Sequence, residues 1–370
     1  MNRDTLGVGI VGAGVISQEY LNNLKRMPHL DVRWVADQDI NRAASRAQQF
    51  GVPHAGTVDD MLADTSVDIV VNLTIPAAHH EISSRAIEAG KNVWSEKPLS
   101  LDVKSGRELL EQAKHRGVRI ASAPDTILGA GFQNALRLVS SGAIGTPITA
   151  TAIFQTDGPE SWHPAPAFLY AQGAGPLFDI GPYYLAALAQ ILGPARSVSA
   201  VGTRSRDTRT IASGPNAGTT FPVEVFTHVS ALITFETGST AQVTLSFDSS
   251  LPRAGIVEIS GTEGTLAFPD PNEFAGATHL WRRGANQPEV VPSPTFDWSR
   301  GIGVSNLASS LLSGQIEHAN GNFALHVLDI MESINEAAVS NQVVEISSRF
   351  IPTAPLSAGW DPAKPNNEGK

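Results

Sequence analysis

The run Val8-Gly9-Ile10-Val11-Gly12-Ala13-Gly14-Val15-Ile16-Ser17 places glycines where a strand turns into a helix. Gly12 permits the sharp turn. Gly14 lets backbone N–H groups approach a pyrophosphate at the helix N-terminus, with Val15 and Ile16 beside it. Ser17 stands where the third glycine of such a fingerprint is usual, so the pattern draws its weight from context. A strand precedes it, a helix follows, and a second strand ends in Asp37. An acidic residue there accepts hydrogen bonds from an adenosine ribose 2′-hydroxyl and repels a 2′-phosphate, which predicts NAD in preference to NADP. The competing reading is a strand–turn–helix with incidental glycines and a solvated aspartate. Lys97, in Glu96-Lys97-Pro98, follows the strand candidate at 92–95, at the carboxyl edge of the sheet, where open α/β sheets bind ligands.

Positioning these groups requires a parallel sheet wrapped by helices. Short β-branched runs at 6–11, 32–36, 69–73, 92–95 and 119–123 alternate with helical patterns at 16–26, 40–50 and 82–89. Gly51 and Gly90 stand just past two of those helices, where a left-handed C-cap is wanted. After Pro124 the texture changes to a helix at 132–140, a Gly145-Thr146-Pro147 turn and a long strand at 148–154. From 195 to 291 the pattern is mainly antiparallel β, with 225–236 and 240–247 joined by Thr237-Gly238-Ser239 and a second tight turn at Gly261-Thr262-Glu263-Gly264. Helices at 304–312 and 323–339 follow, the second with Phe323, Val327, Ile330, Met331 and Ile334 on one face. The expected fold class is α/β. A Rossmann domain spans 1–125, an α+β domain on a large, mostly antiparallel open sheet spans 126–350, and an irregular tail, pinned by Trp360, spans 351–370.

Further motifs carry a resemblance. Thr74-Ile75-Pro76-Ala77-Ala78-His79-His80-Glu81 leads through Ala89-Gly90-Lys91 to Glu96-Lys97-Pro98, and Gly173-Ala174-Gly175-Pro176-Leu177-Phe178-Asp179-Ile180-Gly181-Pro182-Tyr183-Tyr184 follows later. The series resembles the Gfo/Idh/MocA family of oxidoreductases over residues 6–345. The family's Thr-Pro-Asn-x-x-His pattern maps with Pro76 and His80 in place and Ala77 for the Asn; Glu-Lys-Pro is intact. The later segment looks like the family's Asp-x-Gly-x-His, with Tyr183 where many members carry His and Ala186 where an Asp is frequent. Ala123-Pro124-Asp125-Thr126 replaces Arg or Asn residues common after the last Rossmann strand, so inositol-type substrate contacts do not carry over. The resemblance implies an NAD(P)-dependent enzyme with Thr74, Pro76, His80, Glu96 and Lys97 at the cofactor. It also implies a cis Lys97–Pro98 bond that aims the ammonium into the cleft, beside the nicotinamide and the reacting hydroxyl. The second domain's sheet is implied to carry an interface, giving a homodimer or homotetramer. His80 has an alternative role as a plain helix-start residue.

Oxidising an alcohol requires removal of the hydroxyl proton as hydride leaves carbon. Tyrosine titrates near 10, so Tyr183 needs help to act as a base at neutral pH. A neighbouring Lys97 ammonium favours the phenolate, which makes Lys97 and Tyr183 an acid–base unit that Asp179 orients. The alternative for Tyr183 is a helix-face aromatic closing the core, with Tyr184 or Tyr183 turned inward. Asp125, Thr126, Trp162 and His163 are the substrate-side candidates: Trp162 stacks on the C–H face of a sugar, and His163 and Asp125 bond hydroxyls. Equally, Trp162 is a loop tryptophan covering the core with a surface histidine next to it. His228, inside a strand, reads as structural.

Composition narrows the classes. At 370 residues, two domains are the better prior, and a net charge of −10 argues against broad binding to nucleic acid or anionic membrane. The chain has no cysteine, which rules out disulfides, thiolate chemistry and Cys-ligated metals and fits a cytoplasmic address. The ten histidines form no metal-binding His-x-x-x-His pair with a supporting acid, so no metal is expected. No apolar run approaches the roughly 20 residues of a membrane span, and Met1-Asn2-Arg3-Asp4-Thr5 does not begin a signal peptide. The expected function is NAD(P)-dependent hydride transfer at a hydroxyl carbon of a sugar, sugar derivative or cyclic polyol. Two others compete: redox-neutral cleavage of a glycosidic or ether bond by tightly bound NAD, and a non-enzymatic dinucleotide-binding regulator, against which the Lys97–Tyr183 pair argues.

Overall fold

The computed structural model describes residues 5–364. Residues 1–4 and 365–370, including the start of the N-terminal segment and the end of the tail considered above, lie outside them.

The described residues form two compact units, one of residues 5–129, 296–325 and 356–364, the other of 130–295 and 326–355. In the first, β1 (Leu6–Val11), β2 (Leu30–Ala36), β3 (His54–Gly56), β4 (Ile69–Asn72), β5 (Asn92–Ser95) and β6 (Ile120–Ser122) make a parallel sheet in the order β3-β2-β1-β4-β5-β6. The order reverses direction at β1, the switch point where open α/β sheets take their ligands. β4 is buried at every position, as a strand covered on both faces must be. Helices α1 (Ile16–Leu24), α2 (Ile40–Phe50), α3 (Val58–Ala63), α4 (Pro76–Glu88) and α5 (Val103–Arg116) connect the strands. Local chemistry sets their ends. Asp39 accepts the N–H groups of Asn41 and Arg42 to start α2, and Gly51, at φ 61°, closes it. Asp102 and Gly117 (φ 67°) do the same for α5.

In the second unit, α6 (Ala130–Ser140) and β7 (Pro147–Gln155) are followed by α7 (Gly175–Asp179) and α8 (Gly181–Leu192). The strands β8 (Ala195–Thr203), β9 (Thr208–Thr210), β10 (Thr220–Pro222), β11 (His228–Phe235), β12 (Thr240–Ser246), β13 (Arg253–Gly261), β14 (Gly264–Ala267), β15 (Thr278–Arg282) and β16 (Glu289–Val291) come next. After α9 (Ile302–Ser313) and α10 (Gly321–Ser340), β17 (Val344–Glu345) joins the sheet edge. The large sheet runs β16-β15-β14-β13-β7-β12-β11-β8-β17. Each neighbouring pair is antiparallel except β7 with β12, so the sheet is mixed but mostly antiparallel, as expected. Alternation gives it two unlike faces: Ala150, Ala152, Ala231, Ile233, Val243, Leu245, Val257 and Ile259 are buried, while Val201, Leu232 and Trp281 on the opposite face are exposed. β9 and β10 form a separate ribbon.

The chain passes between the units four times, where the sequence reading has one domain boundary and a tail. Residues 296–325, read as part of the second domain, belong to the first unit. So does the described end of the tail: Leu356 is buried, and Ser305 donates to the carbonyl of Pro362 at 2.6 Å. Trp360 is only half-buried, so Leu356 and Pro362 rather than Trp360 fasten that segment.

Candidate functional site

The glycine turn sits between β1 and α1 at the carboxyl edge of the parallel sheet. Gly12 has φ 101°, and a Cβ there would lie 2.6 Å from the Leu73 carbonyl oxygen, so only glycine fits. A Cβ on Gly14 would meet nothing within 4 Å, which leaves that backbone open to a ligand. Asp37, at the end of β2, is buried; its Oδ2 accepts the N–H of Ala13 at 2.8 Å and its Oδ1 that of Asp39 at 2.9 Å. The carboxylate therefore shapes the glycine turn. Ser17 donates to the Gly14 carbonyl at 2.6 Å, using the place of the missing third glycine to tighten the same turn. Arg46, which the sequence reading did not single out, donates to the carbonyls of Ala13 and Gly14 at 3.3 and 3.2 Å.

Around this edge apolar side chains stand uncovered. Val15 is 88% exposed, Ile75 69%, Ile40 53% and Leu101 49%, each in the loop or first helical turn after a strand of the first unit. Four such residues at the ends of four different strands are what the flat, apolar faces of a dinucleotide would cover, so the residues present fit NAD. Ile16 is half-buried behind Val15, and Pro76 is exposed at the first turn of α4.

Lys97 is held on a short turn after β5, and the Lys97–Pro98 peptide is cis, as expected. Glu96 anchors one side of that turn. Tyr20 donates its hydroxyl to Glu96 Oε1 at 2.8 Å, the indole N–H of Trp94 donates to Tyr20 at 3.1 Å, and the Lys97 N–H donates to Glu96 Oε2 at 3.1 Å. Burial raises the Tyr20 pKa well above the ordinary phenol value, and the nearby Glu96 and Asp125 charges raise it further, so Tyr20 stays a donor. Tyr20 was legible as inward-facing from the spacing Ser17, Tyr20, Leu21, Leu24 on α1, all buried.

The histidine that reaches this turn is His79. Its ring is almost fully buried, with Nδ1 2.7 Å from the Pro98 carbonyl oxygen and Nε2 3.1 Å from that of Thr74. His80, the histidine singled out from the motif, lies toward Glu108 on α5 at 3.6 Å. Helical spacing carried the signal: His79, Ile82, Ser83, Ala86 and Ile87 form the buried face of α4. Asn72 fixes the approach to that helix, accepting from the Thr74 hydroxyl at 2.6 Å and donating to the His79 carbonyl and the Ser83 hydroxyl, both at 3.1 Å.

Asp125 is not placed to bind substrate. It is fully buried, its Oδ2 accepts the N–H groups of Gly301 and Gly303 at 2.8 and 3.3 Å, and Arg300 lies 3.6 Å from Oδ1. It serves the start of α9 instead, where amide donors and the helix dipole favour an anion. Burial still pushes its carboxyl up to about 6. Thr126 is buried beside it.

In the second unit, Asp179 ends α7 and Tyr183 lies in the first turn of α8, with Tyr183 buried and Asp179 half-buried. The open question of which tyrosine turns into the core has a clear answer. Tyr184 is fully buried, its hydroxyl takes the Gly255 N–H at 2.8 Å, and burial with the Asp270 charge raises its pKa, so it is a structural residue. Trp162 and His163 lie in a loop with Phe168, His163 packing edge-on against both rings at 5.5 Å. Trp162 is 68% and Phe168 60% exposed, so the tryptophan does not cover the core. Below them Glu160 pairs with the buried Arg209 and accepts from the Tyr170 hydroxyl, while Arg209 also pairs with Asp248. The network fastens both ends of the aromatic loop.

The chain matches the model of an oxidoreductase family with an NAD-binding Rossmann fold over residues 6–123 and a GFO/IDH/MocA C-terminal domain over 132–267. It is 26% identical over 305 residues to a trans-1,2-dihydrobenzene-1,2-diol dehydrogenase of Bos taurus, covering 80% of this chain and 84% of that one. It is 33% identical over 166 residues to an inositol 2-dehydrogenase 3 of Saccharopolyspora erythraea, covering 44% and 49%. A solved structure of GenD2 from gentamicin A biosynthesis, in complex with NAD, superposes with a TM-score of 0.74 at 26% identity, covering 94% of this chain and 98% of the other. With both family segments matched and the glycine turn, Asp37 and the cis Lys97–Pro98 turn in place, this chain belongs to the Gfo/Idh/MocA family of NAD-binding oxidoreductases.

Proposed function

We propose that the chain oxidises a secondary hydroxyl of a sugar, sugar derivative or cyclic polyol, with NAD in preference to NADP. One observation carries the reading: Lys97 sits on a turn braced by buried side chains, at the edge of the NAD-binding sheet where a reacting hydroxyl would be presented. Relatives named as a dihydrodiol dehydrogenase and an inositol 2-dehydrogenase support the same substrate class, a ring bearing a secondary alcohol.

Bound NAD supplies the hydride acceptor. Lys97 binds and orients the alcohol oxygen, and its positive charge favours the alkoxide that forms as the proton departs. Tyr183, in the first turn of α8 and at the position where the family commonly carries its histidine, is assigned the proton, and Asp179 is assigned to orient this pair. The backbone amides of Gly14, Val15 and Ile16 are assigned to the pyrophosphate, the Ala13 N–H being taken by Asp37, and Asp37 is assigned to the ribose hydroxyls. Thr74 and Pro76 border the cofactor, while Glu96 serves it indirectly by bracing Lys97. Trp162, with His163 beside it, is assigned the apolar face of the sugar ring. The exposed sheet face bearing Val201, Leu232 and Trp281 is assigned to self-association as a homodimer or homotetramer, and the NAD requirement argues for the cytoplasm.

The test is a panel of cyclic polyols, pyranoses and anhydrosugars with NAD, followed by NADH absorbance and product analysis. NADH formed in step with a keto product supports the reading. Glycoside or ether cleavage without NADH would assign the redox-neutral alternative, and no turnover with intact NAD binding would assign a regulator.

A further inference from the structure

His79 is a titratable group that the proposed chemistry leaves unused, and its surroundings are unusual. Both ring nitrogens face backbone carbonyl oxygens, Pro98 at 2.7 Å and Thr74 at 3.1 Å, and a carbonyl oxygen only accepts. A neutral imidazole has one N–H, so it can satisfy one of the two; an imidazolium would satisfy both. Burial pushes the His79 pKa below its ordinary value of 6.5, and the charge of Lys97 acts in the same direction. The two carbonyls and the charge of Glu96 oppose it. The neutral ring therefore prevails at neutral pH, and its single proton belongs on the nitrogen with the shorter, fully buried contact, Nδ1.

We propose that His79 is a positioning residue for Lys97: its Nδ1–H holds the Pro98 carbonyl and so fixes the far side of the turn whose near side Glu96 and Tyr20 fix. Three consecutive residues, Glu96, Lys97 and Pro98, are then restrained at both flanks while the lysine side chain between them is carried at a set position. Thr74 stands on the other side of the same ring, where its carbonyl oxygen faces the unprotonated Nε2 and accepts nothing from it. The inference rests on the proposed role of Lys97, but its physical core, the proton on Nδ1 and the restraint of the turn, does not.

The test uses the two amide side chains, which mimic the two ring nitrogens separately. His79→Asn places an N–H near the position of Nδ1, and His79→Gln near that of Nε2; His79→Leu removes both. In the full-length protein, ring ¹⁵N spectra should show the Nδ1–H tautomer at neutral pH. Amide hydrogen exchange over residues 96–102 should stay within about threefold of wild type in His79→Asn and rise about tenfold or more in His79→Gln. With a substrate identified by the sugar panel, kcat should fall about tenfold in His79→Gln and His79→Leu, with NADH affinity within about threefold, and stay near wild type in His79→Asn. An Nε2–H tautomer, equal exchange in the Asn and Gln variants, or a protected turn in His79→Leu overturns the proposal. If exchange and tautomer follow expectation while no substrate turns over, the role of Lys97 in catalysis fails and the positioning of the turn stands.

Discussion

The carboxylate of Asp37 accepts the backbone N–H of Ala13 at 2.8 Å, so the residue at the end of β2 holds the glycine turn in shape. The same carboxylate is proposed to repel a 2′-phosphate, and two guanidinium groups that follow it in the chain are occupied: Arg42 pairs with Asp39 at 3.5 Å and Arg46 binds the turn carbonyls. Wild-type protein should bind NADH at least about tenfold more tightly than NADPH, roughly 1.4 kcal/mol. Asp37→Ser should weaken NADH and narrow that ratio. Fluorescence titration with both cofactors checks it, and tighter wild-type binding of NADPH would remove Asp37 as the selector.

Lys97→Ala should abolish turnover while NADH binding survives, because the glycine turn, not the lysine, holds the pyrophosphate. A variant that keeps more than about a tenth of wild-type kcat, a loss under roughly 1.4 kcal/mol of barrier, would take Lys97 out of the mechanism. Single-turnover rates beside an NADH titration separate the two effects.

The adjacent tyrosines should part company. Tyr183→Phe keeps the ring and deletes the assigned proton acceptor, so kcat should drop about a hundredfold or more. Tyr184→Phe leaves the Gly255 N–H without its partner, so it should cost about 1–3 kcal/mol of stability with kcat within a fewfold. Denaturant melts and pH–rate profiles of both variants decide it; a reversed pattern assigns the base to Tyr184.

Asp125 gives stability a pH dependence of definite sign. Its carboxyl titrates at about 6 in the fold against an ordinary 3.8, so the folded protein holds that proton more tightly than the unfolded chain. The stabilisation is complete below pH 3.8 and fades as pH rises through about 6, a swing of roughly 3 kcal/mol. Asp125→Asn should flatten that part of the curve. Urea midpoints from pH 4 to 7 measure it; equal slopes in the two proteins would mean that Asp125 is ionised throughout.

Where a local rule sets an element, the sequence showed it. The strand at 92–95 and the helix at 40–50 coincide with β5 and α2, and Gly51 and Gly90 adopt φ 61° and 73° just past their helices. α5 lies between two strand candidates with Asp102 and Gly117 bracketing it as caps, while β3, at three residues, is too short to show a period. At the site, the motifs marked Gly12, Asp37 and Lys97, because turn geometry and charge are local properties. They did not mark the brace around Lys97. Tyr20 meets Glu96 across 76 positions and Asp125 meets Gly301 across 176, and such pairings leave no trace in spacing. His80 was preferred to His79 by motif matching, when the helical face already pointed to its neighbour.

The interleaving of the two units has a consequence for the chain as it leaves the ribosome. All six parallel strands are made before residue 123, yet the amides that receive Asp125 belong to Gly301 and Gly303. At about 5–20 residues per second, the nascent nucleotide-binding half waits on the order of ten seconds or more for them. During that interval a carboxylate destined for complete burial, and the apolar side chains that α9 covers, stay in water. A gene fragment ending at residue 129 would encode the fingerprint without the parts that close it, so this Rossmann unit is not a portable cassette.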